Sequence, residues 1–440
     1  MTDDVRARPV ARERVAGTRA LWSALDAAAT PASMLATLVA LVRALSASDY
    51  GILVIALAAS GLSMAINPAI AATTTKFVSE VSAQRHPGNR TAAQVVTVSL
   101  IAVALIDLVL LLGTAAFNER LSQWVFGAAI VSTQQVGHLL MLAMLAVGVQ
   151  QIDAVLGAAI KGLEHFKRQA LIELSSRATL TAVVIYVAWY TRSLEMILFA
   201  QCTVYLASTL VRAVSLRQLL PDKRLFKLSC RTEVLRLIRY GGWMWLTALA
   251  GVAYTSADRV IIGRSLGAVA AGQYNIYVQV TQLIHFVPSS LFAFVFPALS
   301  RLATEGGIRR GDVTKTYRTC LALISSTALV IAVTVLVAWP HLLRIFAGSG
   351  FDGGQIGTLR LLTLNFLLLA CVVAPYYLVL ALGHARVVSV ISTASMGAAL
   401  ALMIVLIPRY GMEGAALARL AYGVGALTLF RAAHRMLKQT

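Results

Sequence analysis

The sequence predicts an all-α polytopic membrane protein with about twelve transmembrane helices in two six-helix bundles. Of the 440 residues, 58% are hydrophobic and only 13% are charged, whereas about 25% of residues are charged in soluble domains. Apolar runs of about twenty residues, the length that crosses a bilayer, recur along the chain. Features of the first half also recur in the second half at a fixed offset. Together these observations exclude an ordinary soluble domain.

Twelve apolar runs fit a membrane span, and polar or basic segments separate them. The first run is interrupted near its start by Asp26 and Pro31. Prolines at positions 68, 288, 297 and 375 predict bends inside three of the other spans. In chain order the predicted spans are Leu21–Leu45, Tyr50–Thr73, Ala92–Phe117, Val136–Ile160, Gln169–Tyr190, Leu194–Leu216, Leu235–Ile262, Gly272–Ser300, Tyr317–Trp339, Thr358–Leu382, Val387–Ile407 and Met412–Arg431.

The positions of the basic residues predict the orientation of the chain. Of 38 Lys and Arg residues, 28 lie in the tails and in alternate loops, including the segment 212–239, and eight lie in the opposite loops. Since cytoplasmic loops carry the excess of Lys and Arg, we expect a multi-pass protein of the cell inner membrane with both termini in the cytoplasm. The expected organisation is a cytoplasmic tail over 1–20, a six-helix lobe over 21–216, a basic cytoplasmic linker over 217–234 and a second six-helix lobe over 235–440.

A net charge of +19 would suggest nucleic acid in a soluble protein, but here the basic residues lie between apolar runs and no nucleic-acid motif is present. The four cysteines are scattered singly, so they predict neither a metal site nor a redox pair. No phosphate-binding loop and no catalytic arrangement of His or paired carboxylates stands in the predicted outer loops. We therefore expect no metal, no cofactor, no nucleic-acid partner and no enzymatic activity.

Sliding the sequence by 221 residues aligns separated features of the two halves. Arg43 and Leu45 fall on Arg264 and Leu266, and Gly162 falls on Gly383. Because each half has six predicted spans, the halves would share one orientation and be related by an axis along the membrane normal. This parallel repeat predicts a cavity at their interface.

Two stretches carry longer motifs: Arg43-Ala-Leu-Ser-Ala-Ser-Asp-Tyr-Gly51, and the run from Asp258 through Ile261-Ile262-Gly263, Leu266-Gly267, Gly272-x-Tyr274 and Phe296-Pro297. The first resembles the turn R-x-L-x-x-x-[DE]-[YF]-G after the first span of Wzx-type oligosaccharide flippases. The second resembles their seventh and eighth spans. This family belongs to the multidrug/oligosaccharidyl-lipid/polysaccharide (MOP) exporter superfamily. Twelve predicted spans in 440 residues match it better than the related peptidoglycan-precursor flippases, which usually have fourteen spans.

The resemblance implies a V-shaped transporter that moves an undecaprenyl-diphosphate-linked oligosaccharide from the cytoplasmic to the outer leaflet by alternating access, for polysaccharide biosynthesis. It also implies contact with membrane lipids and with polymerase and chain-length proteins of the same glycan pathway. Two alternatives stay open. The first is a cation-coupled drug or metabolite exporter of the same superfamily, in which acidic residues of the cavity would bind a cationic substrate. The second is a membrane enzyme of glycan assembly, which would catalyse a reaction of a lipid-linked glycan.

Acidic residues inside predicted spans need a partner, water or a function, because a charge at the bilayer centre costs roughly 2.5–3.5 kcal/mol on insertion scales. Asp107, Asp153 and Asp258 are therefore candidates for lumen or ion-coupling roles. Asp153 lies at the same predicted depth as Arg177, with Glu173 one helical turn below it. The alternative to a lumen or ion-coupling role is a structural network in which Asp153 forms an ion pair with Arg177, next to Glu173.

Five basic residues are candidates for binding the anionic head group: Arg43, Lys76, Arg259, Arg264 and Arg419. Arginine suits this role because its planar guanidinium binds phosphate through two parallel hydrogen bonds and stays charged. Two other interpretations remain open. In one interpretation, Arg419 forms an ion pair with Asp258. In the other, the basic residues at span ends extend to the phosphate groups of membrane lipids.

Overall fold

The computed structural model describes residues 29–83, 91–127, 133–220, 231–291, 310–346, 355–382 and 384–439. Within these ranges the chain is helical and contains no strand. The predicted cytoplasmic tail over 1–20, most of the linker over 217–234 and the Phe296-Pro297 motif lie outside the described residues.

The first half contains eight described helices, and they follow the predicted spans closely. The second predicted span is divided by a 3₁₀ turn over Leu62–Ile66, which precedes Asn67-Pro68. The helices are α1 (Ala29–Ala44), α2 (Ala47–Gly61), α3 (Asn67–Ala83), α4 (Ala92–Ala116), α5 (Asn118–Phe126), α6 (Thr133–Gly162), α7 (Phe166–Thr191) and α8 (Leu194–Leu219).

Local sequence determines where several of these helices begin. The Ser46 hydroxyl accepts the backbone N–H of Asp49 at 3.1 Å and caps α2. Thr91 and Gln94 form a capping box at the start of α4. Such caps satisfy the backbone donors that a helix leaves unpaired in its first turn.

The second half contains seven described helices. The span predicted over Gly272–Ser300 begins as two helices separated at Gln282, and its last residues lie outside the described ranges. The helices are α9 (Arg231–Leu266), α10 (Ala268–Thr281), α11 (Leu283–Leu291), α12 (Arg310–Phe346), α13 (Ile356–Ala381), α14 (Ala385–Ala426) and α15 (Thr428–Gln439).

Helix α14 reverses direction at Gly411, as the separation of the last two predicted spans anticipates. Gly411 has φ +59°, a left-handed conformation that favours glycine, and Pro408 stands just before it. A Cβ added at Gly414 would lie 2.2 Å from the carbonyl oxygen of Leu406. One added at Gly425 would lie 2.3 Å from the Ser395 hydroxyl, so the two arms pack antiparallel.

Large apolar side chains cover the outside of the described helices, as expected where lipid replaces water. Val109 is 68% exposed, Tyr190 79% and Val337 73%. Within the described residues, eight helical segments are long and apolar enough to span a membrane, one of which covers both arms of α14, and α1 is a shorter apolar helix. The count of twelve spans stays a prediction.

Backbones of the two halves approach very closely at the first turns of α2 and α10, whose first residues, Ala47 and Ala268, are 221 positions apart. Backbones approach so closely that a Cβ at Gly51 would lie 1.9 Å from the Ala268 carbonyl oxygen, and one at Gly272 would lie 3.1 Å from the Gly51 Cα. The Asn275 side chain donates to the Tyr50 hydroxyl at 2.7 Å. We call this region the α2–α10 contact.

Apolar packing separates the molecule into a closed end and a divided end. One buried cluster joins both halves around the α2–α10 contact and includes Ile55 and Tyr274. A second cluster, including Val78 and Ile160, contains first-half residues only. A third, including Ile324 and Leu378, contains second-half residues only. Among the described side chains, the halves therefore share a core at one end and form separate cores at the other, while α9 also contacts the 3₁₀ turn and α3 of the first half.

Gly51→Ala should destabilise the closed end, because its methyl group would overlap the Ala268 carbonyl and overpacking typically costs about 1–3 kcal/mol. Gly113→Ala is the matched control, since a Cβ there meets nothing within 4 Å and Ala is the better helix former. Thermal unfolding of the purified protein checks this. Equal loss of stability in both variants would show that the contact is not as close as described.

Candidate functional site

Each half contains a cavity, and a cleft lies between the halves. The cavity of the first half, here the polar cavity, has a volume of ≈ 550 Å³ and is lined by α1, α3, α6, α7 and α8. The cavity of the second half, here the aromatic cavity, has a volume of ≈ 720 Å³ and is lined by Gln282 and by residues of α9, α11, α13, α14 and α15. The cleft, ≈ 430 Å³, lies between α2 and α9–α10.

The polar cavity contains a buried ion-pair network centred on Arg212. Its guanidinium is 2.9 Å from an Asp153 carboxylate oxygen and also contacts Glu173. The Ser208 hydroxyl donates to Asp153 at 3.0 Å, and Arg177 pairs with Glu173 at 2.9 Å. Two arginines thus face two carboxylates, so these four groups carry no net charge.

This network corrects the predicted pairing of Asp153 with Arg177. The buried partner of Asp153 is Arg212 on α8, which the sequence interpretation had counted with the cytoplasmic loop. Its side chain is only 3% exposed, because α8 continues to Leu219 and packs along α6, which carries Asp153. The predicted Glu173–Arg177 neighbourhood is present, one helical turn apart on α7.

Asp107 on α4 has a polar partner of a different kind. The Gln151 amide donates to one of its carboxylate oxygens at 2.7 Å, and the other oxygen is buried without a hydrogen-bond partner. No ion pair of Asp107 occurs among the described residues.

At the wall of the aromatic cavity, the lining residue Arg419 forms with Asp258 the pair that the sequence left open as an alternative. The guanidinium Nε is 2.8 Å from the carboxylate, and both side chains are almost completely buried. Arg419 also donates to the Tyr254 backbone carbonyl and lies over the Tyr254 and Phe366 rings at 4.8 and 5.8 Å. Neutralised and enclosed in this way, Arg419 and Asp258 act as a structural pair.

Arg259, the next residue along α9, is arranged differently. It lines both the aromatic cavity and the cleft. One terminal nitrogen donates to the Thr255 carbonyl, while the Nε is buried and has no hydrogen-bond partner. No carboxylate lies within 4.0 Å of its side-chain nitrogens among the described residues, since Asp258 is already paired with Arg419.

Three other predicted head-group residues lie away from both cavities and the cleft. Arg43 is exposed at the end of α1. Lys76 lies 3.8 Å from Glu80 on the surface of α3. Arg264 is exposed near the α2–α10 contact, where its guanidinium lies 5.4 Å from the centre of the Trp124 ring on α5. Of the five candidates, the structure brings together Arg259 and Arg419.

Sequence reasoning also missed the aromatic lining. Tyr254, Tyr376, Tyr377 and Tyr422 come from three helices and converge on one cavity. Tyr254 and Tyr422 pack with ring centres 4.4 Å apart, and Tyr376 and Tyr377 with centres 5.7 Å apart. Only the Tyr-Tyr pair after Pro375 is a visible signal in the sequence.

Comparison with known proteins gives a family match that covers more than half of the chain. A family model described as "Polysaccharide biosynthesis protein" matches residues 24–303. A Shigella flexneri protein named "Putative O-antigen transporter" is 26% identical over 188 residues, which cover 43% of this chain and 44% of that protein. The chain therefore matches less than half of the length of this relative.

Two solved structures share the fold. One is a multidrug resistance MATE family transporter of the MOP superfamily in an inward-facing conformation, with TM-score 0.77 and 12% identity over 94% of this chain and 98% of that chain. The other is the lipid II flippase MurJ in an inward closed conformation, with TM-score 0.68 and 15% identity over 93% and 87%. These two structures confirm the predicted all-α fold class. The family match over residues 24–303 confirms the resemblance carried by the motifs.

Arg212→Met should lower the free energy of unfolding by about 3 kcal/mol, because it leaves the Asp153 carboxylate buried without its cation. Adding Asp153→Asn should restore part of that loss. Arg192→Met is the matched control, since Arg192 is exposed at the end of α7. Thermal unfolding in detergent measures all four proteins, and wild-type stability of Arg212→Met would contradict the network.

Proposed function

The chain belongs to the polysaccharide biosynthesis protein family, and from that premise we propose that it is a flippase for a polyprenyl-diphosphate-linked oligosaccharide. It carries this lipid, with undecaprenyl as its expected chain, from the cytoplasmic to the outer leaflet of the inner membrane without covalent change. The product then passes to polymerase and chain-length proteins of the same pathway. The named function of the Shigella relative and the shared fold with a lipid II flippase support this proposal.

The observation that carries the proposal is the position of Arg259. No carboxylate lies within 4.0 Å of its side-chain nitrogens among the described residues, and Arg259 lines both the aromatic cavity and the cleft between the halves. A guanidinium with unused donors is suited to bind a diphosphate. The neighbouring Arg419 is already neutralised by Asp258.

The same charges make a cationic cargo unfavourable. Asp153, Glu173 and Asp258 are each paired with arginine, so they offer little negative charge to a drug or metabolite cation. Asp107 is the exception, but it lines neither cavity and is hydrogen-bonded to Gln151. An anionic head group therefore matches the described interior better than a cation does.

Transport direction follows from the proposed orientation. With both termini in the cytoplasm, the α2–α10 contact closes the outer end and the divided end faces the cytoplasm, where the lipid-linked oligosaccharide is made. The membrane potential, negative inside, then favours outward movement of an anion by about 2.3 kcal/mol per charge per 100 mV. A coupling cation is not required for that step.

Alternating access would follow if the lobes over 21–216 and 235–440 rock about the α2–α10 contact. Separate cores at the divided end allow each half to move as a unit. Arg43 and Arg264 lie at the closed end, so they would reach the head group only after this contact opens. Lys76 would act at the cytoplasmic entrance.

Arg259→Gln should lower export of the lipid-linked oligosaccharide at least tenfold, since it removes the charge that binds the diphosphate. The measurement uses a strain lacking this chain, complemented by each variant, and compares surface glycan with lipid-linked intermediates left on the cytoplasmic side. Arg192→Gln, an exposed arginine outside both cavities, should behave as wild type. Normal surface glycan in the uncomplemented strain would overturn the proposed function.

A further inference from the structure

The two cavities differ in chemistry, although they belong to two halves with the same number of predicted spans. The polar cavity is lined by hydroxyl, amide and charged side chains, with Tyr205 as its single aromatic residue among the lining side chains. The aromatic cavity is lined by four tyrosines and two phenylalanines. Its volume of ≈ 720 Å³ falls within the range of about 300–1,000 Å³ typical of ligand sites.

Two of these tyrosine rings are available to a ligand. Tyr422 packs on Tyr254 at 4.4 Å and remains partly exposed, and Tyr376 is 36% exposed beside Tyr377. Rings with a hydroxyl at one end combine an apolar face with a hydrogen-bonding tip. A sugar ring has the complementary character, because its C–H bonds form an apolar face and its hydroxyl groups surround the edge.

The cleft on the other side of Arg259 has an apolar wall. It is formed by Val54, Leu57, Ala58 and Met64 of the segment from α2 into the 3₁₀ turn. Val252, Thr255, Ser256 and Arg259 line the cleft and the aromatic cavity alike, so the two spaces adjoin. The opposite wall of the cleft carries Ser256, Asn275 and Gln279. Arg259 thus stands between a cleft with one apolar wall and an aromatic cavity with polar edges.

We propose that the aromatic cavity is the glycan subsite and that Tyr376 and Tyr422 recognise the sugars nearest the diphosphate. A lipid-linked oligosaccharide has its diphosphate between an apolar chain and a hydroxylated head. The structure offers matching surfaces in the same order: the apolar wall of the cleft, the Arg259 guanidinium and the aromatic cavity. The first isoprene units lie in the cleft, the diphosphate binds Arg259, and the sugars pack on the tyrosine rings. This inference rests on the proposed function and adds which half selects the sugar.

The test compares binding of two lipids to the purified full-length protein by native mass spectrometry: a bare polyprenyl diphosphate, and the same diphosphate carrying a disaccharide. Wild type should bind the glycosylated lipid more tightly. The pair Tyr376→Leu and Tyr422→Leu should weaken binding of the glycosylated lipid by on the order of tenfold and leave the bare lipid unchanged. Arg259→Gln should weaken binding of both lipids.

Two control pairs separate the role of the rings from general damage. Tyr376→Phe with Tyr422→Phe keeps both rings and should retain most of the affinity for the glycosylated lipid. Tyr186→Leu with Tyr190→Leu removes two rings stacked on the outer face of α7, far along the chain from the aromatic cavity, and should change neither affinity. Wild-type thermal stability of the leucine pair shows that it folds.

The outcomes distinguish the two proposals. If the Tyr376→Leu and Tyr422→Leu pair weakens binding of both lipids equally, the cavity holds the isoprenoid chain and the proposed glycan subsite is wrong. If the leucine pair changes neither affinity while Arg259→Gln weakens both, the glycan subsite is wrong and the proposed function stands. If wild type binds neither lipid, the proposed function fails and the glycan subsite fails with it.

Discussion

The backbone contact between α2 and α10 is the constraint on which the rest of the described structure depends. Gly51 and Gly272 allow the two helices to approach so closely that no larger side chain fits at Gly51. The Asn275–Tyr50 hydrogen bond satisfies buried polar groups at the same place. Because the halves meet here and share one apolar core, they can diverge at the opposite end. The cleft lies between the halves, whereas each of the two cavities is formed within one half.

Charge burial imposes the second condition. An arginine in an apolar helix bundle is costly unless a carboxylate and further hydrogen bonds accompany it. Arg212 and Arg419 meet this condition with Asp153, Glu173 and Asp258. Arg259 has no carboxylate within 4.0 Å among the described residues, and this is the basis of its proposed role in binding the diphosphate. The structural pairs and the proposed binding cation therefore follow from the same physical rule.

Much of the fold could be predicted from the sequence, because a membrane span is defined by length and apolarity alone. The Asp258–Arg419 pair could also be anticipated as one alternative, since both residues lie inside predicted spans of the same lobe and opposite charges in a span need a partner. Arg212 was misplaced because the polar stretch around it resembles a loop, whereas α8 continues for about two more turns to Leu219. The aromatic cavity could not be predicted, because it depends on how several helices rotate about their axes, and tyrosine is unremarkable in an apolar span.

The central claim is that the α2–α10 end must open for the lipid to cross, and a reversible cross-link tests it most directly. A Cβ at Gly263 would lie 2.7 Å from the Ile55 Cγ1, so cysteines at these positions are within disulfide reach across the two halves. Ile55→Cys with Gly263→Cys, in a background without the four native cysteines, is oxidised in proteoliposomes containing lipid-linked oligosaccharide. Translocation should stop on oxidation and return on reduction. Equal translocation by the oxidised and reduced proteins would contradict the account.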